Sequence, residues 1–323
     1  MDKEKIYTNR KNIVILAIIC CILWGSAYPA IKVGYELFNI GTNDICSKLI
    51  FAGYRFAIAG VLVLLLEVIN KKNIFNYSLK EFGEITLLGS TQTALQYLFF
   101  YIGLSYTTGV RGSIINGTGT FASIILAHII YKNDKLNFNK VIGCIIGFIG
   151  VVVVNLNGKA VSGQAFSMRG EGSLIIAAII FAASAIYGKK ITQDKDASIV
   201  TGYQLLIGGI ILSILGFLFG GSLKGFTLNS ILLLIYMALL SSIAFAIWTQ
   251  LLKFNKVGVI SVFNFLVPIF GTLLSAIFLK ENIFDIKILI SLILVCSGIF
   301  LVYNEKAINL NLKLTKKKIN REE

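Results

Sequence analysis

The stretch "SIINGTGTFASIILAHIIYK" (residues 113–132) returns in outline as "SVFNFLVPIFGTLLSAIFLK" (261–280), with Ser113 over Ser261, Asn116 over Asn264 and Lys132 over Lys280. Each is an apolar run of about twenty residues, the length that crosses ~30 Å of hydrocarbon as a helix. The offset is 148 residues in a chain of 323. Two further pairs keep a similar offset. "GYRFAIAG" (53–60) lies over "GYQLLIGG" (202–209), and "WGSAYPAIK" (24–32) lies over "FAASAIYGK" (181–189).

Working outward from these pairs, similar runs cover 13–33, 47–68, 84–104, 111–131, 139–156, 172–190, 199–220, 230–252, 257–279 and 285–303. The chain is 56% hydrophobic and only 14% charged, where a soluble domain carries roughly 25% charged residues. The first run is not a signal peptide: it is too long, lacks a convincing cleavage site, and nine like it follow. Five spans per copy is an odd number, so the second copy enters the membrane the opposite way round. The expected fold is therefore an all-α integral membrane protein of ten transmembrane helices, built as two inverted five-helix repeats. That is the plan of secondary transporters, whose site lies near the midplane between halves. The expected parts are an N-terminus at 1–11, a first repeat at 12–156, an outer linker at 157–171, a second repeat at 172–303 and a basic tail at 304–323.

The net charge is +14, which by itself would suit nucleic acid. Its distribution argues otherwise. With the N-terminus inside, 21 basic residues fall on inward segments and 8 on outward ones. This positive-inside pattern places both termini in the cytoplasm. The expected location is a plasma or inner membrane, multi-pass, of a bacterium. The expected partners are the lipid bilayer and a small-molecule substrate, with no nucleic acid; a homodimer is left open. No cofactor is expected. The five cysteines show no metal spacing and read as small packing residues.

Ser113, Asn116, Thr120 and Ser123 are spaced 3, 4, 3, and Ser261, Asn264, Pro268 and Gly271 repeat that spacing. Each set lies on one stripe of its helix. Small residues on a stripe also serve close helix packing. A buried amide, however, must find partners for two donors and an acceptor. The matched Asn116 and Asn264 thus favour a shared polar cavity over packing alone. Pro29 and Pro268 are the two prolines of the chain. Each removes the hydrogen bond to a carbonyl four residues earlier, at Gly25 and Asn264. Gly25, Pro29 and Pro268 are the gating or kink candidates, with hinge and fixed kink both open. Trp24 lies eleven residues into its span, ~16 Å deep by helical rise, where its N–H needs a partner. Gln92 and Gln96 share a helical face at i, i+4, with Tyr97 beside them.

Arg55 is the strong charge inside a span, and burial there requires pairing, hydration or snorkelling. A structural role and a substrate-carboxylate anchor both remain open for it. Lys32 and Lys189 fall at the outer and inner mouths by the repeat, where lysines either snorkel or steer anions. His128 lies near the inner end of the fourth span, and a proton relay is its less expected role. No Asp or Glu falls mid-span, which gives little support for strong proton coupling. No Gly-rich phosphate loop points to ATP.

Together "LWGSAYPAIK", "YRF", "NFLVPIFGTLLSAIFLKE" and the ten-span inverted plan resemble the drug/metabolite transporter superfamily, specifically its EamA-type transporters. The resemblance covers about 12–303. Thr120 stands where the family commonly has Pro, and "KNDK" replaces a frequent Gly-Glu. The resemblance implies a substrate cavity lined by the first, third, fourth, sixth, eighth and ninth spans. On this sequence that selects Trp24, Tyr28, Gln92, Gln96, Tyr97, Asn116, Tyr187, Trp248 and Asn264. It implies a carrier, in many members an exporter of amino acids or related metabolites; uptake of another metabolite or drug-like solute is the alternative. An intramembrane enzyme would need a nucleophile–base pair or a metal cluster, and the chain is not expected to be one. A channel fits two inverted halves less well than a carrier with two gates.

Overall fold

The computed structural model describes residues 3–107, 109–155, 166–278 and 286–303. The expected tail at 304–323 and most of the expected linker lie outside the described residues, as does the Ser113 side chain. A short helix α1 (Lys3–Thr8) precedes α2 (Arg10–Leu37) and α3 (Ile45–Ile69). Helix α4 (Leu79–Leu88) runs through a π turn (Gly89–Leu95) into α5 (Gln96–Tyr106), followed by α6 (Gly109–Ile130) and α7 (Phe138–Asn155). A second π turn (Met168–Gly172) opens α8 (Ser173–Thr192), followed by α9 (Ala197–Leu218) and α10 (Leu228–Phe254). Helix α11 (Val257–Ser261) continues through a 3-10 turn (Val262–Phe265) into α12 (Leu266–Phe278), and α13 (Ile286–Tyr303) comes last. No strand occurs among the described residues.

The ends of these helices are set by side chains that accept from orphan N–H groups. Asn9 caps α2, Asp44 caps α3 and Asp196 caps α9, while Ser78 and Glu81 form a reciprocal capping box on α4. Six helical segments among the described residues are long and apolar enough to cross a membrane: Arg10–Leu37, Ile45–Ile69, Met168–Thr192, Ala197–Leu218, Leu228–Phe254 and Val257–Ser275. Their outward faces carry exposed Ile, Leu and Phe, such as Ile15, Leu66, Ile179, Ile214, Phe217 and Leu239. Such an apolar exterior is stable only against lipid. The described residues fold into helices and turns, and the protein is a multi-pass membrane protein.

The helices pair in a definite order. Helix α3 lies along α9 and α7 along α13; α6 packs on α8, and α2 packs on both α10 and α12. The α3–α9 crossing is made by glycines. A Cβ on Gly53 would stand 2.7 Å from the Gly209 carbonyl oxygen, and one on Gly60 would stand 2.6 Å from that of Gly202. Early α3 thus meets late α9, and late α3 meets early α9, so the two run antiparallel. The α7–α13 pair behaves alike: Gly143 faces Gly298 and Gly150 faces the Ser291 carbonyl. Small residues let backbones approach where lipid offers no hydrophobic drive for association.

Candidate functional site

Between α2, α3, α5, α6, α8, α10 and the α11–α12 break lies a cavity of about 350 Å³. Its floor is Trp24, whose ring meets Phe245 edge-on at 5.5 Å and Trp248 at 5.0 Å between centroids. Its walls are Tyr28, Gln96, Tyr97, Phe100, Tyr101, Asn116, Phe181 and Asn264. Lys32, Tyr35, Lys48 and Ser105 line it near the helix ends at Leu37, Ile45 and Tyr106. Lys32 is exposed and has no hydrogen-bond or ion-pair partner among the described residues. The cavity therefore leads to that end of the bundle.

The opposite end is sealed. Below Trp24, Cys20, Cys21, Ala127, Trp248, Leu251, Ile260 and Phe263 are buried together. The Cys20 and Cys21 thiols donate to the carbonyls of Ala244 and Phe263, at 3.5 and 3.2 Å. Past this layer the Lys189 ammonium donates to the Asn255 carbonyl and lies 5.5 Å from the Tyr131 ring centroid. The Tyr131 hydroxyl donates to the Ile186 carbonyl at 3.3 Å. Loops at this end are tied by charge: Lys72 pairs with Glu67 and Asp196, and Lys195 with Glu81 and Glu84. Burial opposes ionisation of Asp196, but the Lys72 hydrogen bond and charge and the Ser198 and Ile199 amides outweigh it. Its carboxyl is held below the ordinary range.

Of the cavity candidates read from sequence, Trp24, Tyr28, Gln96, Tyr97, Asn116 and Asn264 line the cavity, with Pro268, Lys32 and Arg55. Tyr28 stands beside Asn116. Gln92, Tyr187, Trp248 and Lys189 lie elsewhere. The π turn explains Gln92. Its i→i+5 bond, from the Gln96 amide to the Thr91 carbonyl, adds a residue to the turn and rotates Gln92 off the Gln96 face. Gln92 is buried against Gly188 instead. Tyr187 donates to the Glu84 carbonyl at 3.4 Å in the sealed end, and Trp248 forms the layer beneath Trp24.

Pro29 sits in an unbroken α2, where Gly25 packs directly on Phe270 and Gly271 of α12. Pro268 instead follows a real interruption, the 3-10 turn that carries Asn264. His128 accepts the Leu136 amide on Nδ1 at 3.1 Å and so organises the α6–α7 loop. Lys48, Tyr35, Tyr101, Phe100 and Phe245 were not singled out in the sequence. Lys48 lies two helical turns before Arg55, and Tyr101 one turn after Tyr97, so helical spacing from the chosen residues points to both.

Arg55 is 2% exposed. Its Nε donates to the Ser241 hydroxyl at 2.7 Å, and its guanidinium lies 4.9 Å from the Phe56 ring centroid. Lys48 donates to the Thr42 carbonyl and, at 3.3 Å, to the Ser105 hydroxyl. Both cations are thus held in place by neutral acceptors.

The family model of EamA-like transporters matches the chain over two stretches, residues 11–156 and 168–304. The chain belongs to the EamA-like transporter family. Among its relatives, an uncharacterized transporter of Acidianus ambivalens is 31% identical over 69% of this chain and 81% of its own length. One of Archaeoglobus fulgidus is 25% identical, covering 85% and 91%. The uncharacterized transporter YyaM of Bacillus subtilis is 26% identical, covering 91% and 97%. The fold is shared with a crystal structure at a TM-score of 0.76, over 94% of this chain and 99% of that one, at 14% identity. Family and relatives make this EamA-like protein a non-enzymatic membrane transporter.

Proposed function

We propose that this transporter is an alternating-access carrier of small polar metabolites such as amino acids, built from two inverted five-helix repeats. The observation that carries the reading is a cavity open at one end and sealed at the other, set among helices that pair by the repeat. Advancing each span by five exchanges every major contact: α3–α9 and α7–α13 map onto themselves, and α6–α8 exchanges with α12–α2. The glycines agree. By the sequence offset Gly53 corresponds to Gly202 and Gly60 to Gly209, and each contacts the other's counterpart, as an in-plane two-fold requires. The family model matches two stretches, residues 11–156 and 168–304, which supports the two-repeat reading.

The positive-inside distribution puts the cavity mouth outside and the seal in the cytoplasm. The two mouth lysines then occupy complementary states. Lys189 is engaged with Asn255, the residue that ends α10, while Lys32 is unengaged. By the offset, the counterpart of Asn255 is Thr107, which ends α5 with nearly the same backbone angles. Opening the inner end would release Lys189 from Asn255 and bring Lys32 to Thr107. With no carboxylate mid-span in the sequence, strong proton coupling has little support; a carrier that runs down its substrate gradient would export metabolites accumulated in the cytoplasm. Full-length protein in liposomes tests this. Counterflow should saturate and be lost in Asn116→Ala and Asn264→Ala; flux that never saturates would instead mark a channel.

A further inference from the structure

The charge of the cavity is one-sided. Lys32, Lys48 and Arg55 line it, and no Asp or Glu does among the described residues. Of the acids near the mouth, Glu36 is exposed one turn after Lys32, Asp44 accepts the Ser47 amide at 2.9 Å within electrostatic reach of Lys48, and Glu171 accepts the Thr107 hydroxyl at 3.1 Å and the Ser167 amide at 2.9 Å. Arg55 is the decisive group. A guanidinium has five N–H donors, and here Nε alone has a hydrogen-bond partner among the described residues, the neutral Ser241 hydroxyl. A buried cation without a counter-ion is costly unless something supplies the missing charge. Beside it stand Tyr35, Tyr97 and Tyr101, within electrostatic reach of the guanidinium. The Tyr101 hydroxyl is buried against that of Tyr35, which is placed to donate to it and leaves the Tyr101 O–H as a donor. Gln96 Oε1, in the same wall, is buried with no partner among the described residues; as an acceptor it suits a hydroxyl or N–H of a ligand, not its carboxylate.

Arg55 and Tyr101 describe an incomplete anion site with an apolar chamber below it. We infer that the cavity selects organic monoanions over zwitterions and cations of the same shape: a single carboxylate on Arg55 and Tyr101, with a flat apolar body against Trp24, Tyr97, Phe100 and Phe245. The chamber suits such a body. Its rings meet at edge-to-face angles and offer π faces and edges, and its volume lies in the range of small-molecule pockets. A free ammonium finds no carboxylate in the lining and would face three cations. This narrows the carrier reading, on which it rests, from amino acids toward carboxylates that lack an amino group.

Three probes share one body and differ in charge: 3-phenylpropionate, phenylalanine and phenethylamine. They are titrated into the full-length protein in nanodiscs, by calorimetry and by the fluorescence of the Trp24–Trp248 pair. The expected order is 3-phenylpropionate first, about tenfold or more ahead of phenylalanine, with phenethylamine weakest. Arg55→Gln should weaken 3-phenylpropionate by about 10- to 100-fold, the loss of a charge-assisted hydrogen bond, and leave phenethylamine unchanged or improved. Arg55→Lys keeps the charge and should retain part of the affinity. If Arg55→Gln does not fold, the wild-type ranking still decides. Equal or better binding of phenylalanine or phenethylamine, or no binding of any probe, overturns the inference. Saturable counterflow of an amine with no anion preference would sink this inference and leave the carrier standing. Tight 3-phenylpropionate binding without counterflow would do the reverse.

Discussion

Replacing Gly209 with alanine should separate α3 from α9. The added Cβ would stand 2.3 Å from the Ala57 amide nitrogen and 2.7 Å from the Gly53 carbonyl oxygen. These are backbone atoms of a helix, and they cannot rotate away as a side chain does. Restoring ordinary contact requires the α3 and α9 backbones to part by about 1 Å, a gap at which dispersion loses a quarter to a half of its well depth. Overpacking of this kind costs about 1–3 kcal/mol. Gly60→Ala should cost a similar amount, because its Cβ would meet the Leu206 amide nitrogen at 2.4 Å and the Gly202 oxygen at 2.6 Å. The double variant should lose less than the sum, since helices already parted by one methyl accommodate the second. Gly83→Ala is the control, with nothing within 4 Å of its new Cβ; the removal of a helical glycine should leave it neutral or slightly stabilised. Thermal unfolding of the wild type and the four variants in detergent gives the comparison. A melting point for Gly209→Ala equal to that of Gly83→Ala, or full additivity of the pair, would refute the glycine-mediated crossing.

Asp134 and Lys140 form a buried ion pair at 2.7 Å, 2% and 0% exposed, and Asp134 also accepts the Gly258 amide at 2.9 Å. Asp134→Ala should therefore cost about 3–5 kcal/mol, with Asp134→Leu/Lys140→Met recovering most of it in the same melting assay. Asp196 contributes stability that is present above its ordinary carboxyl range, near 3.8, and is lost as pH falls through its depressed folded value. Melting points measured from pH 7 down to 3 should drop less steeply below pH 4 in Asp196→Asn than in wild type. Cysteines introduced at Gln164 and Gln193 should divide in labelling with a membrane-impermeant maleimide from outside, Gln164 reacting and Gln193 not; the reverse pattern would invert the assigned orientation.

Much of this arrangement is legible in the sequence because membrane helices announce themselves by length and apolarity. The strings "GYRFAIAG" and "GYQLLIGG" resemble each other, yet nothing in either says that their helices cross. That follows from three-dimensional approach, and Gly53 and Gly209 supply it. The amides of α6 and the α11–α12 break were readable as a matched pair, since polar groups in apolar runs need a reason. Gln92 was not, because the helical period that places it beside Gln96 fails inside a π turn. Phe100 and Phe245 look like lipid-facing residues in a string of letters. Only packing sets Phe245 edge-on to Trp24 and Phe100 against Tyr97 and Tyr101.

Alternating access is most directly measured as a pair of distances in one molecule. Spin labels on cysteines at Val33 and Tyr106 span the mouth, and labels at Lys190 and Lys256 span the seal, in a background with the exposed Cys296 replaced by serine. Two exchanging states should give two distance populations for each pair, anti-correlated, so that conditions which shorten the mouth lengthen the seal. A protein that transports while the seal distance stays single and short, or that shows both ends open together, would contradict the two-gate account.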